Sequence, residues 1–212
     1  MNVSDFCSVF FILHYIFLYL FSNNELITWY LLHCIANLYI VSMCALPVAH
    51  IINDPIYELF NPTEYYDTTY VIIFIHIYHL LFFNCTRDDI FHHLVFVFFG
   101  SITVFIFNNG YFTALTHFFI CGFPGAIDYA LLFLYKTNKI SKRMRLKCAL
   151  YLNVWFRGPG LCFMSLFAII NYIYAKKNIE NLLIMILQVF VTMGNGQYYL
   201  TEVVYANGKN NI

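Results

Sequence analysis

An all-α membrane protein of about seven transmembrane helices is the fold class this sequence predicts. Three observations predict it. The 212 residues are 61% hydrophobic and only 10% charged, against roughly 25% charged in a soluble domain, so the chain has too little polar surface to cover a globule in water. Seven segments reach or approach the ~20 apolar residues that a spanning helix needs. No internal repeat, low-complexity run or linker separates them, so one domain is the simplest organisation. A net charge of zero offers no general attraction to nucleic acid. The 21% aromatic content suits lipid-facing and interfacial positions without any special function.

In chain order the predicted spans are residues 6–21, 26–46, 69–83, 92–107, 113–135, 147–174 and 182–204. The first resembles a signal peptide in length. It carries only Asp5 where a basic leader region would stand, and no small-residue cleavage site precedes Glu25, so it reads as a helix. The first two helices and an acidic luminal loop make up residues 1–68, and residues 69–205 form the core. The connection 53–67 is acidic, with Asp54, Glu58, Glu64 and Asp67. The connection 136–147 is basic, with Lys136, Lys139, Lys142, Arg143, Arg145 and Lys147. With seven spans, Arg87, this basic cluster and Lys209 share one side, and only Lys176 and Lys177 lie on the other. The excess of Lys and Arg marks the cytosolic side, so the amino terminus is expected in the lumen and the carboxy terminus in the cytosol. Seven scattered cysteines without a Cys-x-x-Cys spacing read as small packing residues rather than a disulfide framework or zinc site.

Chemistry is expected where titratable groups meet hydrocarbon, because they are costly there unless paired. Asp88-Asp89-Ile90-Phe91-His92-His93 opens the fourth span. Thr86-x-x-Asp89 has the form of a capping box, and Asp89 is also within helical reach of both imidazoles. A neutral imidazole can act as base or nucleophile. Alternating span directions put His76, His79, His33 and Asn37 in the cytosolic half of the bilayer. Asp128, Arg157 and the face Gln188, Thr192, Asn195 and Glu202 fall in the same half. A shared depth predicts a common polar cavity. His14, His50 and His117 fall outside that band. Asp128 and Arg157, the two charges deepest in their spans, are expected to pair across helices.

Three stretches resemble the TLC-domain family of membrane proteins, which includes ceramide synthases and translocating-chain-associated proteins. They are Asp88-Asp89-Ile90-Phe91-His92-His93-Leu94-Val95, then Gly122-Phe123-Pro124-Gly125-Ala126-Ile127-Asp128-Tyr129-Ala130-Leu131-Leu132 followed by Lys136, then Asn153-Val154-Trp155-Phe156-Arg157. Order and spacing agree over roughly residues 69–205. The resemblance implies a helical barrel or bundle around a lipid-sized cavity, usually in the endoplasmic reticulum. In the synthase branch it implies transfer of a fatty acyl group from acyl-CoA to a sphingoid-base amine. His92 and His93 would then be the catalytic pair and Asp128 a supporting carboxylate. His76, His79, Asp89, Arg157 and Asn195 would be the polar surround. Acyl-CoA would be a co-substrate, with no permanently bound cofactor, and membrane lipids would be the partners.

One position departs from the synthase pattern. That branch places two aspartates around two small residues, and here the window reads Gly125-Ala126-Ile127-Asp128, without the first. Other branches sense, organise or escort lipids or proteins, which is the alternative reading. His76-x-x-His79 with His92-His93 also resembles the histidine boxes of di-iron hydroxylases. The His-x-x-His-His spacing those boxes need is absent, so a histidine-rich membrane metalloenzyme is a minor alternative and no metal ligand is assigned.

Overall fold

The computed structural model describes residues 2–61, 63–106, 109–174 and 179–209, and among these all regular structure is helical. The helices are α1 (Val3–Leu20), α2 (Glu25–Asn53), α3 (Pro55–Phe60), α4 (Asp67–Phe82), α5 (Arg87–Ile106), α6 (Tyr111–Lys136), α7 (Lys142–Tyr174) and α8 (Ile179–Lys209). Every predicted span falls on one of the seven longer helices. Five of them, α1, α2, α5, α6 and α7, are long and apolar enough to cross a membrane; α4 is apolar but has 16 residues. Phe107, the end of the predicted fourth span, lies outside the described residues, as do Lys176 and Lys177.

Local chemistry sets the helix ends. Asn2 and Thr86 each accept a hydrogen bond from the backbone three residues on, and Asp5 and Asp89 return one, making reciprocal capping boxes at α1 and α5. Asn24 and Ser141 cap α2 and α7. Asn138, at φ 59°, turns the chain between α6 and α7, a conformation asparagine tolerates.

Six helices form a closed ring of neighbours, in the order α2, α4, α5, α8, α7, α6 and back to α2. Helix α1 lies outside it against α2 and α4, where Phe6 and Phe10 pack with Ile40, Ile75 and Tyr78. The thiols of Cys34 and Cys44 donate to the carbonyls of Ala126 and Ala114, tying α2 to α6. Large apolar side chains such as Leu38, Leu46, Leu81, Phe163 and Phe190 stay exposed on the outside. That is costly in water and natural in lipid.

Three turns inside the long helices are widened to π geometry: His93–Phe98, Phe118–Gly122 and Asn153–Arg157. Two stand one residue ahead of a proline. Phe123 N–H donates to the Phe118 carbonyl just before Pro124, and Gly158 N–H donates to the Asn153 carbonyl just before Pro159. Proline removes a donor and crowds the preceding turn, and an i→i+5 bond widens that turn to accommodate the ring.

The acidic connection is partly structured. Part of it forms α3, and Glu58 is completely buried. Its carboxylate accepts from the Thr63 amide (3.0 Å), the Thr63 hydroxyl (3.0 Å) and the Tyr111 amide (2.7 Å), and lies 3.3 Å from His50 Nε2. A carboxylate can be buried when its lone pairs are filled this way. His50 and Glu58 thus close the ring at one end. Between the α5–α6 connection, α7 and α8, Asn171 donates to Asn109 (2.7 Å), which donates to Gln188 (2.9 Å).

Close packing of α7 on α6 depends on Gly160, where an added Cβ would strike the Phe119 ring. Gly160→Val is expected to cost about 1–3 kcal/mol by overpacking, read as a lower thermal midpoint of the detergent-solubilised protein. An unchanged midpoint would contradict this packing.

Candidate functional site

At the end of the ring opposite Glu58, five histidines converge from three helices. His33 comes from α2, His76 and His79 from α4, and His92 and His93 from α5. His76 and His79 share a face of α4 at i, i+3. The capping box at Thr86 starts α5 so that both adjacent imidazoles point back at α4.

His92 and His93 do different things. His92 Nε2 lies 3.3 Å from His76 Nε2, and His92 Nδ1 lies 3.1 Å from the Tyr199 hydroxyl. His76 Nδ1 lies 2.7 Å from the Ile72 carbonyl. A carbonyl only accepts, so His76 Nδ1 carries the proton and its Nε2 offers a lone pair. His92 Nε2–H then donates to His76, and His92 Nδ1 accepts from Tyr199. The result is one directed chain, Tyr199 O–H to His92 to His76 to the Ile72 carbonyl, with both rings neutral. His93 instead turns to His79, with Nε2 3.3 Å from His79 Nδ1. Trp29 stacks on His79 at 4.0 Å between centroids, and Tyr129 stacks on His33 at 3.8 Å.

The Asp89 carboxylate does not reach either imidazole. One oxygen accepts from the Thr86 amide (2.8 Å) and the Thr86 hydroxyl (2.7 Å), so its role is at the helix start. The expected Asp128–Arg157 ion pair does not form. Asp128 lies 3.8 Å from Arg145, while Arg157 donates to Asn153 (2.9 Å) and lies 4.8 Å over the Tyr199 ring. Register explains the exchange. Arg157 is twelve residues beyond Arg145, about 18 Å further along the helix, and Arg145 at the start of α7 meets the last turns of α6.

Inside the ring is a cavity of about 380 Å³. All six ring helices line it, with His33, Asn37, His76, His92, Asp128, Arg157, Asn195 and Tyr199 among the polar groups. The α8 face Gln188, Thr192, Asn195 and Glu202 lines it as the spacing indicates. So does His117, which the depth argument puts outside the polar band, and whose Nδ1 meets the Thr68 hydroxyl at 2.9 Å. His79, Asp89 and His93 belong to a smaller cavity of about 120 Å³ beside it, at the mouth. Tyr199 and Tyr129 carry no mark in the sequence that separates them from the other tyrosines. Tyr199 follows Asn195 by four residues and precedes Glu202 by three, so the helical period on that face contains it.

Several buried polar atoms of residues that line the large cavity have no hydrogen bond among the described residues. They include both amide atoms of Asn37, Thr113 Oγ1, His33 Nδ1, Asn195 Oδ1 and Arg157 Nε. Each would cost about 1–3 kcal/mol if left unpaired. Asn37 also accounts for Gly125. A Cβ there would lie 2.5 Å from the Asn37 Nδ2 and 3.0 Å from its Cγ. A neutral amide from α2 therefore fills the space beside the position where the synthase pattern has its first aspartate.

The three widened turns adjoin the site, His93–Phe98 beginning at His93 itself, Phe118–Gly122 just before Pro124 and Gly125, and Asn153–Arg157 ending at Arg157. Such turns are frequent at functional sites. Comparisons with protein-family models, with curated proteins and with solved structures give no match.

Outside the helices, the Cys85 thiol is half-buried in the loop before α5. Burial, and then the Asp89 carboxylate, raise its pKa, so it is a neutral thiol at neutral pH. The contact between Gly125 and Asn37 predicts a coupled pair. Gly125→Ala should lower thermal stability, and Asn37→Gly in the same chain should recover part of the loss. A double variant no better than the sum of its single losses would rule out the contact.

Proposed function

We propose that this chain is a TLC-type integral membrane protein, a seven-span helical barrel that holds a lipid in its cavity and transfers a fatty acyl group from acyl-CoA to a lipid amine. The observation that carries the reading is the directed chain from Tyr199 through His92 to His76, opening onto a lipid-sized cavity whose walls hold unpaired polar groups. A largely apolar pocket of a few hundred Å³ with a few fixed polar groups suits an amphiphile.

Within this reading Tyr199 meets the reacting amine. As the amine nitrogen attacks the thioester carbonyl carbon, its proton passes to the Tyr199 oxygen while the Tyr199 proton moves to His92 Nδ1. His92 Nε2–H passes to His76 Nε2, and the Ile72 carbonyl holds His76 in the receiving tautomer. The thiolate of coenzyme A leaves and recovers a proton by the reverse path. Arg157, held by Asn153 over the Tyr199 ring, favours the charge that develops on the phenol oxygen and the carbonyl. Asp128 with Arg145 stands at the cavity mouth, where a polar headgroup would sit. A sphingoid base fits this division, with its amine near Tyr199 and its chain against the apolar wall.

The cavity mouth faces the cytosol in this reading, because Arg87, the 136–147 basic loop and Lys209 gather at that end. Acyl-CoA is made on that side. The expected residence is the endoplasmic reticulum, with the amino terminus luminal. The sequons at Asn2 and Asn84 provide a test. Asn84 is expected to stay unmodified in a glycosylating membrane system, and sugar on it would invert the topology.

A second reading has its own observation, the neutral Asn37 amide beside Gly125. Without a second carboxylate the cavity would bind or sense a lipid with no chemistry. Purified protein incubated with labelled acyl-CoA and a panel of long-chain amines separates the two. Acyl transfer is expected. His92→Ala should reduce it by about 10²–10⁴-fold, and Tyr199→Phe should also reduce it while leaving lipid co-purification intact. No transfer by the parent chain, together with lipid retention unaffected by His92→Ala, would favour the binding reading.

A further inference from the structure

The two histidine pairs at the mouth have the same nitrogen–nitrogen separation and different surroundings. His92 and His76 are accounted for at both ends, by Tyr199 and the Ile72 carbonyl. His79 and His93 have no such frame. His79 Nδ1 and His93 Nε2 point at each other across 3.3 Å, and no carbonyl or hydroxyl accepts from or donates to the outer nitrogen of His93 among the described residues. Cys85 Sγ joins them, and the three atoms lie within 4.8 Å of one another. The sequence places Cys85 among packing residues, because no fixed spacing links it to His79 and His93.

From this geometry we propose a zinc(II) site formed by His79 Nδ1, His93 Nε2 and Cys85 Sγ, with its fourth position open. The distances favour it. Zinc–nitrogen bonds of about 2.0–2.1 Å at tetrahedral angles put two ligand nitrogens about 3.3 Å apart, which is the separation found. The sulfur, at a zinc–sulfur bond of about 2.3 Å, would sit about 3.6 Å from each nitrogen. The sulfur lies within 4.8 Å of the ligand nitrogens, so binding would draw it in by up to about 1 Å. The ligand set of two imidazoles and one thiolate suits zinc.

Supporting contacts hold the ligands. Trp29 stacked on His79 fixes that ring's plane. The Thr86–Asp89 capping box fixes the start of α5 and so the position of His93. His79 and His93 both line the small mouth cavity, together with Asp88, Asp89 and Tyr198. Three protein ligands beside a cavity leave the fourth position for water or a ligand oxygen, the pattern of open zinc sites. On binding, the zinc–sulfur bond forms as the Cys85 S–H bond breaks, and its proton goes to solvent. One of the two facing nitrogens carries the proton of the His79–His93 hydrogen bond before zinc binds; that ring moves its proton to its other nitrogen through solvent, so zinc meets two lone pairs with the protons on His79 Nε2 and His93 Nδ1. The His79–His93 hydrogen bond is exchanged for two metal bonds. The site ties the end of α4 to the start of α5 across the loop. It does not rest on the acyl-transfer reading, because His92 is not a ligand.

The test uses the full chain, purified without an affinity tag, in detergent or nanodiscs. Zinc chloride is added, excess is removed by dialysis, and bound metal is measured by elemental analysis. Cobalt(II) is then substituted and its absorption recorded. The expected result is stoichiometric zinc and a cobalt spectrum with a thiolate charge-transfer band and four-coordinate ligand-field bands. Cys85→Ser should remove the thiolate band, and His79→Ala should weaken binding by about 10²-fold or more. His92→Ala should keep the metal and the spectrum even where it abolishes transfer, so the two proposals fail separately. The parent spectrum decides the matter even if a ligand variant does not fold. Absence of stoichiometric metal in the parent, a cobalt spectrum without the thiolate band, or affinity unchanged in both Cys85→Ser and His79→Ala would overturn the site.

Discussion

A polar group held at hydrocarbon depth must find a partner inside the protein, because lipid offers none. That constraint organises the interior of this ring. The imidazoles of α4 and α5 take one another as partners. His76 ends its chain on the backbone carbonyl of its own preceding turn. Glu58 is tolerated at zero exposure because two amides and a hydroxyl fill its lone pairs. Among the described residues, most of the buried polar atoms without a hydrogen-bond partner belong to residues that line one cavity, His33, Asn37, Thr113, Asp128, Arg145, Arg157 and Asn195, which is why that cavity carries the functional reading.

The widened turns have a part in this. A regular helix would present His93, Asn153 and Arg157 at evenly spaced angles. A π turn inserts an extra residue and rotates the helix beyond it. At Asn153–Arg157 it lets Arg157 donate to Asn153 within the same helix while its guanidinium reaches the Tyr199 ring. Ahead of Pro124 it carries the chain past a missing donor into the segment bearing Gly125 and Asp128. Packing and chemistry are coupled at these turns, since the same glycines that admit Phe119 and Asn37 flank them.

Much of the arrangement is legible in the residues. The positions of the long helices come from apolar run length, and the capping box at Thr86 and Asp89 from its spacing. The shared depth of His33, His76, His92, Asp128 and the Gln188–Glu202 face comes from alternating direction and 1.5 Å per residue. Partner choice is not legible. Depth alone brings Asp128 and Arg157 together in expectation, whereas the lateral register of α6 against α7 gives Asp128 to Arg145. The burial of Glu58 is hidden because an acidic residue between helices has no local mark of its fold. Tyr199 is hidden among many tyrosines, although its helical period marks the face.

The sequence by itself determined that the chain is helical, that it is too apolar for water, and where along the chain its polar groups cluster, because hydropathy and helical periodicity are local properties. Only the tertiary structure decided that adjacent His92 and His93 take separate partners, one in a chain with Tyr199 and His76, the other facing His79 beside Cys85. Neighbouring residues on a helix point about 100° apart. Which atoms each then meets depends on how α4 and α8 pack around α5, and that is set by contacts distant in the chain.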